Sequence, residues 1–114
     1  MLGFEVVHVG INTVDAESAN NIAQSFSNFF GFVKNENPNS IFASRGIEVM
    51  KKPFLGAMGH IAIGTNYMQR AIYHLEKSGV QFDMDTAKTD ANGNIMALYL
   101  KGEFGGFAVH LLQK

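Results

Sequence analysis

The sequence contains no cysteine. Disulfide bonds, thiolate metal ligands and cysteine nucleophiles are therefore excluded for this chain. It contains no run of basic residues either: nine Lys and Arg face ten Asp and Glu, for a formal net charge of −1. That balance suits neither a phosphate backbone nor an anionic lipid surface, so no nucleic-acid or membrane partner is expected. Apolar runs stay far below the ~18 residues of a spanning helix and no signal-peptide pattern is visible, so a cytoplasmic location is the default expectation. The 114 residues also fall short of the roughly 200 that a complete (β/α)₈ barrel requires. What is present is ordinary for a globular protein, with 46% hydrophobic and 17% charged residues. One domain over residues 1–114 is expected.

Along the chain the periodicities alternate between strand and helix. Phe4–Thr13 (FEVVHVGINT) is valine-rich and reads as a strand. Asp15 is an N-cap candidate, and Ala19, Ile22, Ala23, Phe26, Phe29 and Phe30 fall on one face of a helix over 16–30, expected to be core. Gly31 suits its C′ position. Phe32–Glu36 is a short strand, and Ser40–Ser44 with Ile47–Lys51 reads as a hairpin around Arg45-Gly46, stopped by Pro53. The order then restarts: a strand over Met58–Thr65, a helix over Tyr67–Lys77 with Gly79 after it, a strand over Val80–Met84, a turn at Asp90–Asn94, and strands over Ile95–Leu100 and Phe107–Leu112. The Gly105-Gly106 pair reads as turn chemistry, since no helix follows it to hold a phosphate.

The order βαβββ thus occurs twice, with module 1 at about residues 1–54 and module 2 at about 55–114. The fold class expected is α+β, a curled mixed eight-stranded sheet. The repeat is visible in letters as well. Val7-His8-Val9-Gly10-Ile11-Asn12-Thr13 aligns with Gly59-His60-Ile61-Ala62-Ile63-Gly64-Thr65, and Gly46-Ile47-Glu48-Val49-Met50 corresponds to Phe107-Ala108-Val109-His110-Leu111, shifted by one place so that Glu48 matches His110.

Strand residues alternate between faces. His8 stands opposite Val7 and Val9, Glu48 opposite Ile47 and Val49, His60 opposite Ile61, and His110 opposite Val109 and Leu111. If the aliphatics pack under the helices, one metal-competent side chain per strand points the other way. A single strand histidine is ordinarily a hydrogen-bonded core or surface residue, and His74, on the second helix, is read as a surface one. Four such groups at repeat-related positions indicate a site. Three imidazoles and a carboxylate suit a divalent ion such as Zn, Ni, Co, Mn or Fe, which offsets the cost of desolvating Glu48. An octahedral ion with ligands His8, Glu48, His60 and His110 keeps two positions open for two adjacent oxygens of a substrate. Phe4, Val6, Met50, Ala62, Ala108 and Leu112 are expected to give the site a small apolar pocket. Lys51, Lys52, Lys77, Lys88, Lys101 and Lys114 read as exposed or terminal, with no Schiff-base context.

The segments VVHVGINT, GIEVMKK, GHIAIGT and GGFAVHLLQK resemble the glyoxalase / bleomycin-resistance / extradiol-dioxygenase group, the vicinal-oxygen-chelate superfamily, over nearly the whole chain. Members of the glyoxalase I kind place metal ligands at these four strand positions. One departure stands out: the last position is usually Glu, the catalytic base in glyoxalase I, and is His110 here. The resemblance therefore implies a divalent-metal lyase or isomerase acting on a small 2-oxo or hydroxycarbonyl metabolite, with Glu48 or His110 as base and Glu48 preferred. It implies a homodimer. A narrower resemblance, carried by the run from GFEVVHVGINT through GIEVMKKPFLGAMGHIAIGT to GGFAVHLLQK, is to the glyoxalase-like domain attached to some bacterial 2-keto-3-deoxy-6-phosphogluconate / 4-hydroxy-2-oxoglutarate aldolases. That similarity supplies the alternative, a non-catalytic accessory or metabolite-sensing domain that binds a sugar-acid metabolite and serves an aldolase partner. A ligand-sequestering role like that of the bleomycin-resistance members is disfavoured by the four ligand positions. The extradiol dioxygenases are disfavoured too, because they use a two-His, one-Glu set.

Overall fold

A computed structural model describes all residues, Met1–Lys114. The elements are β1 (Glu5–Ile11), α1 (Ala16–Phe30), β2 (Lys34–Glu36), β3 (Ser40–Ala43), β4 (Ile47–Met50), β5 (Gly59–Thr65), α2 (Met68–Lys77), β6 (Phe82–Thr89), β7 (Ile95–Leu100) and β8 (Phe107–Gln113). They form one mixed sheet in the order β2-β3-β4-β1-β5-β8-β7-β6. The order within each half is the same. In both halves the first strand lies parallel to the last (β1 with β4, β5 with β8), and the halves join through the antiparallel pair β1–β5. The sheet does not close, since β2 and β6 are free edges.

Local chemistry sets the helix ends. Asp15 Oδ1 accepts the Ser18 N–H at 2.8 Å, satisfying one of the orphan donors of the first turn of α1. Gly31 closes α1 at φ 72, a left-handed conformation open to glycine at little cost. Helix α2 has no side-chain cap from its own N-cap residue; Gln113 Oε1 at the end of β8 accepts the Met68 N–H instead, at 2.8 Å.

Each helix covers its own half-sheet. Ala19 and Ala23 of α1 pack on Ile41 and Val49, whereas Met68 and Ala71 of α2 pack on Phe82, Leu98 and Leu111. Alanines let the helices approach closely, and the large core volume is supplied from the sheet. Leu98 is fully buried. Leu98→Ala is expected to destabilise by about 3 kcal/mol in a urea titration. Because it lies in the layer beneath α2, the same variant should keep its metal binding.

Three expectations are corrected. Phe29 and Phe30 are 79% and 65% exposed; in the last turn of α1, Phe30 packs against Phe26 and Phe32, at 6.1 and 5.7 Å between ring centroids, which leaves both outer rings largely to solvent. Strand β6 runs five residues beyond Met84, to Thr89. Its polar second half pairs with β7 through an irregular register, with Thr86 Oγ1 accepting the Tyr99 N–H. The alternation in β1 is broken too: Val6 pairs with Ile63 and His8 with Ala62, so Val7 is a bulge. The bulge carries Val6 and Phe4 away from the cup. Val6 is 64% exposed, and the Phe4 ring lies 6.4 Å from that of His74, on the side of α2.

Candidate metal centre

The sheet registers bring the four predicted residues together on the face opposite the helices. Two rows run across the strands. In one, Phe42, Glu48, Gly10, His60 and Ala108 are successive cross-strand neighbours. In the next, His8, Ala62, His110 and Tyr99 are neighbours. Each row holds two candidate ligands separated by a small residue, Gly10 or Ala62, which leaves room for the side chains to lean toward a common point. All four come from one chain, so no second subunit is required to assemble the set.

The atoms converge closely. Glu48 Oε1 lies 3.0 Å from His60 Nε2 and 3.3 Å from His8 Nε2, and those two nitrogens are 3.2 Å apart. A ring nitrogen of His110 lies within 4.8 Å of those of His8 and His60. Hydrogen bonding alone accounts poorly for this triangle. If both imidazoles donate to Glu48, two N–H groups face each other; if one does not, Glu48 loses a partner. Atoms held about 2.1 Å from one ion, in contrast, lie about 3.0 Å apart across a right angle, about 3.4 Å across a tetrahedral angle and about 4.2 Å when opposite. The observed edges fall in that range. His110 gives the second sign of fit, since both its ring nitrogens are buried without a hydrogen-bond partner. A buried imidazole in that state is costly unless something else is bound there. The donor set therefore fits a divalent ion of the Zn, Ni, Co, Mn or Fe kind.

Surrounding groups fix the set, and sequence reasoning did not single them out. Ser40, fully buried, donates its hydroxyl to Glu48 Oε2 at 2.7 Å, and Asn37 Nδ2 donates to the same hydroxyl at 3.1 Å. The Tyr99 ring stacks on His110 at 4.6 Å between centroids and 12° between planes, and Phe42 stands edge-on to His8 at 5.5 Å. Phe42 and Tyr99 are repeat-related: each lies on the third strand of its half, directly across from Glu48 and His110 respectively. That relation is the signal that could have found them.

The electrostatics follow from burial and these contacts. For Glu48, burial alone would raise the carboxyl; hydrogen bonds from His60, His8 and Ser40 outweigh it and hold the group well below the usual carboxylate range. Burial pushes the His110 imidazole down to about 4, with the fields of His60 and His8 adding to the effect and Glu48 opposing it. Burial and the charge of Glu48 push the Tyr99 hydroxyl up to about 12. A pH prediction for the metal-free protein follows. The folded state resists protonating His110 while the unfolded chain protonates it near its ordinary value of 6.5. Stability is thus full above that value and is lost as pH falls toward about 4. Between pH ~7.5 and ~5 this one group removes about 2 kcal/mol. Urea titrations in EDTA should show the loss, and His110→Leu should flatten it.

Above these residues is a cavity of about 650 Å³, lined by His8, Glu48, His60 and His110 and by Met50, Phe54, Thr86, Tyr99 and Leu112, among others. The expectation of a small apolar pocket is corrected here. Lys51, Lys52 and Lys88 line the cavity, Ala62 and Ala108 are buried in the floor, and Phe4 and Val6 lie elsewhere. Lys51 is also only partly exposed, its ammonium held by Glu36. His74 is exposed, as expected.

No family model and no curated protein matches the sequence. Solved structures do match along the whole chain. A hypothetical protein from Bacillus halodurans C-125 superposes with a TM-score of 0.67 at 16% identity, covering 98% of this chain and 95% of its own. A Streptomyces coelicolor methylmalonyl-CoA epimerase variant in complex with 2-nitronate-propionyl-CoA gives 0.63 at 15% identity, covering 100% and 99%. Methylmalonyl-CoA epimerase from Mycobacterium tuberculosis gives 0.61 at 15% identity, covering 95% and 86%. The chain has the vicinal-oxygen-chelate fold. In that fold the paired modules of this chain place their outward strand residues around one central cup, and here the cup holds His8, Glu48, His60 and His110. No helix is long and apolar enough to cross a membrane.

Proposed function

We propose that the chain is a divalent-metal lyase or isomerase that moves a proton beside the carbonyl of a small 2-oxo or hydroxycarbonyl metabolite. The observation that carries this reading is the convergence of Glu48 Oε1 and the Nε2 atoms of His8 and His60 at 3.0–3.3 Å, with His110 unpaired beside them. The epimerase neighbours support the reaction class, since epimerisation beside a thioester carbonyl also removes and returns a proton there. A bound divalent ion would supply Lewis-acid stabilisation to charge developing on two neighbouring oxygens of the ligand.

The chain's own groups divide the remaining work. Glu48 accepts from Ser40, His60 and His8; it serves as an anchor and acts as a base only after leaving the imidazoles. His110 is neutral, has both nitrogens free and is held in plane by Tyr99, so the geometry favours it for carrying the proton. The test separates the two roles. In Glu48→Gln, metal affinity and turnover should fall together. In His110→Gln, metal affinity should fall less than in Glu48→Gln, while turnover of 2-oxo and α-hydroxycarbonyl substrates drops by about 100-fold or more. Turnover unchanged in His110→Gln would remove it from the proton path.

A second reading rests on the same unpaired His110: an accessory domain that binds a sugar-acid metabolite for an aldolase partner without turning it over. It predicts metal-dependent metabolite binding, with no proton exchange between the ligand and deuterated solvent.

A further inference from the structure

The cavity has an asymmetric charge that the metal set does not use. The chain as a whole is at −1, yet the cavity lining contains three lysines and a single carboxylate, Glu48. Lys51 is neutralised by Glu36, while Lys52 and Lys88 make no ion pair. The two free ammonium groups reach the cavity from opposite halves of the sheet. Lys52 follows β4 in the loop that ends module 1. Lys88 is on β6, directly across from Ala97, which in turn faces Leu112 of β8; this register puts Lys88 on the face of His110. The lining also includes Asn39 and Thr86, which offer polar groups, and Phe54, edge-on to Tyr99 at 5.8 Å.

With Lys51 paired to Glu36, the two unpaired ammonium groups outnumber the one carboxylate, Glu48, and leave the cavity net positive, more so with a divalent ion on the floor. That arrangement is satisfied by a ligand that brings negative charge at two places. We infer that the substrate carries a second anionic group, a carboxylate or a phosphate, held by Lys52 and Lys88 while its vicinal oxygens face the four-residue floor. This rests on the metal-dependent reading above and narrows it to a substrate class: 2-oxo or hydroxy acids with a distal anion, rather than neutral ketoaldehydes or simple mono-acids. The volume of about 650 Å³ exceeds what a three-carbon acid fills, which agrees with a longer ligand.

The test compares ligands that share chelating oxygens and differ in the distal group. Pyruvate, 2-oxoglutarate and 3-phosphohydroxypyruvate would be titrated calorimetrically into nickel-loaded protein. The two ligands with a distal anion should bind at least about tenfold tighter than pyruvate, roughly one ion pair's worth, and the tighter of them indicates whether a carboxylate or the more highly charged phosphate is preferred. In the Lys52→Met, Lys88→Met double variant the preference should vanish, with metal stoichiometry and pyruvate affinity unchanged. Equal affinities in the wild type, or a preference that survives in the double variant, overturns the assignment. Metal content, measured separately, reports on the underlying reading. Should the protein take up no metal, the lysines are still tested in EDTA by inorganic phosphate, which should raise the melting temperature of the wild type and not of the double variant; equal shifts would overturn the anion site without reference to metal.

Discussion

His60→Ala should reduce bound transition metal from about one equivalent per chain to background and weaken affinity by more than about 100-fold, beyond the loss typical for a supporting residue. His60 is the centre of the set. Its Nε2 lies 3.0 Å from Glu48 Oε1 and 3.2 Å from His8 Nε2, and its ring is 5.3 Å from that of His110. It is also 3% exposed, so alanine leaves a hole as well as a missing ligand, and the hole alone lowers stability. His60→Gln keeps most of the volume and removes the imidazole; it separates the two effects. Elemental analysis of tag-free protein soaked with Ni²⁺ or Zn²⁺ gives the stoichiometry. A thermal shift gives an independent reading: ligand at about a thousand times its Kd stabilises by about 4 kcal/mol, on the order of 15 °C for a chain of this size. The wild type should show that rise, and His60→Gln and His8→Ala should not. A wild type that takes up no metal, or a His60→Gln that binds as well as the wild type, would end the metal-centre assignment.

Much of this arrangement is legible in the sequence. The two-module order, the helix bounds of α1 and the parity that sets His8, Glu48, His60 and His110 against the aliphatics all rest on local periodicity, which a strand or helix carries in its own letters. What failed to show was set by tertiary context. The bulge at Val7 leaves no mark in a run of valines, yet it moves Val6 and Phe4 out of the cup. The second half of β6, with its run Asp85-Thr86-Ala87-Lys88-Thr89, has no apolar alternation because it is an edge strand facing solvent and the cavity. Lys88, read as exposed, is exposed and also forms part of the cavity wall. Ser40, Phe42 and Tyr99 required knowing which strand residues lie opposite one another. Once Glu48 and His110 are equated, hairpin register leads to Phe42 and Tyr99, so the repeat contained more than was taken from it. The helix face of Phe29 and Phe30 was periodic and still not core, since periodicity shows which side a residue is on and not whether anything covers it.

Gly10→Ala should abolish metal binding although Gly10 has no side chain in the site. A Cβ at this position would lie 2.0 Å from His60 Cε1, 2.2 Å from Nδ1 and 2.6 Å from Nε2. Its backbone is not in the left-handed region, so alanine is opposed by space alone; without that conflict it would stabilise the strand by about 0.5–1 kcal/mol. The imidazole has little freedom to yield, because it is buried against Tyr99 and His110. Either the ring swings out and the ligand is lost, or β1 and β5 separate at the centre of the sheet. The repeat makes the constraint specific. Ala62 stands directly across from His8 with its methyl group in place, so only the His60 side of the pair demands glycine. Gly46→Ala is the control, since nothing lies within 4 Å of its added Cβ, and it should leave metal binding and stability close to wild type. The decisive comparison is a double-mutant cycle in EDTA. Combined with His60→Ala, the Gly10→Ala substitution should lose its penalty, giving a coupling of about 1–3 kcal/mol. An additive cycle, or a Gly10→Ala protein that still binds one metal, would mean that the imidazole does not lie over this glycine.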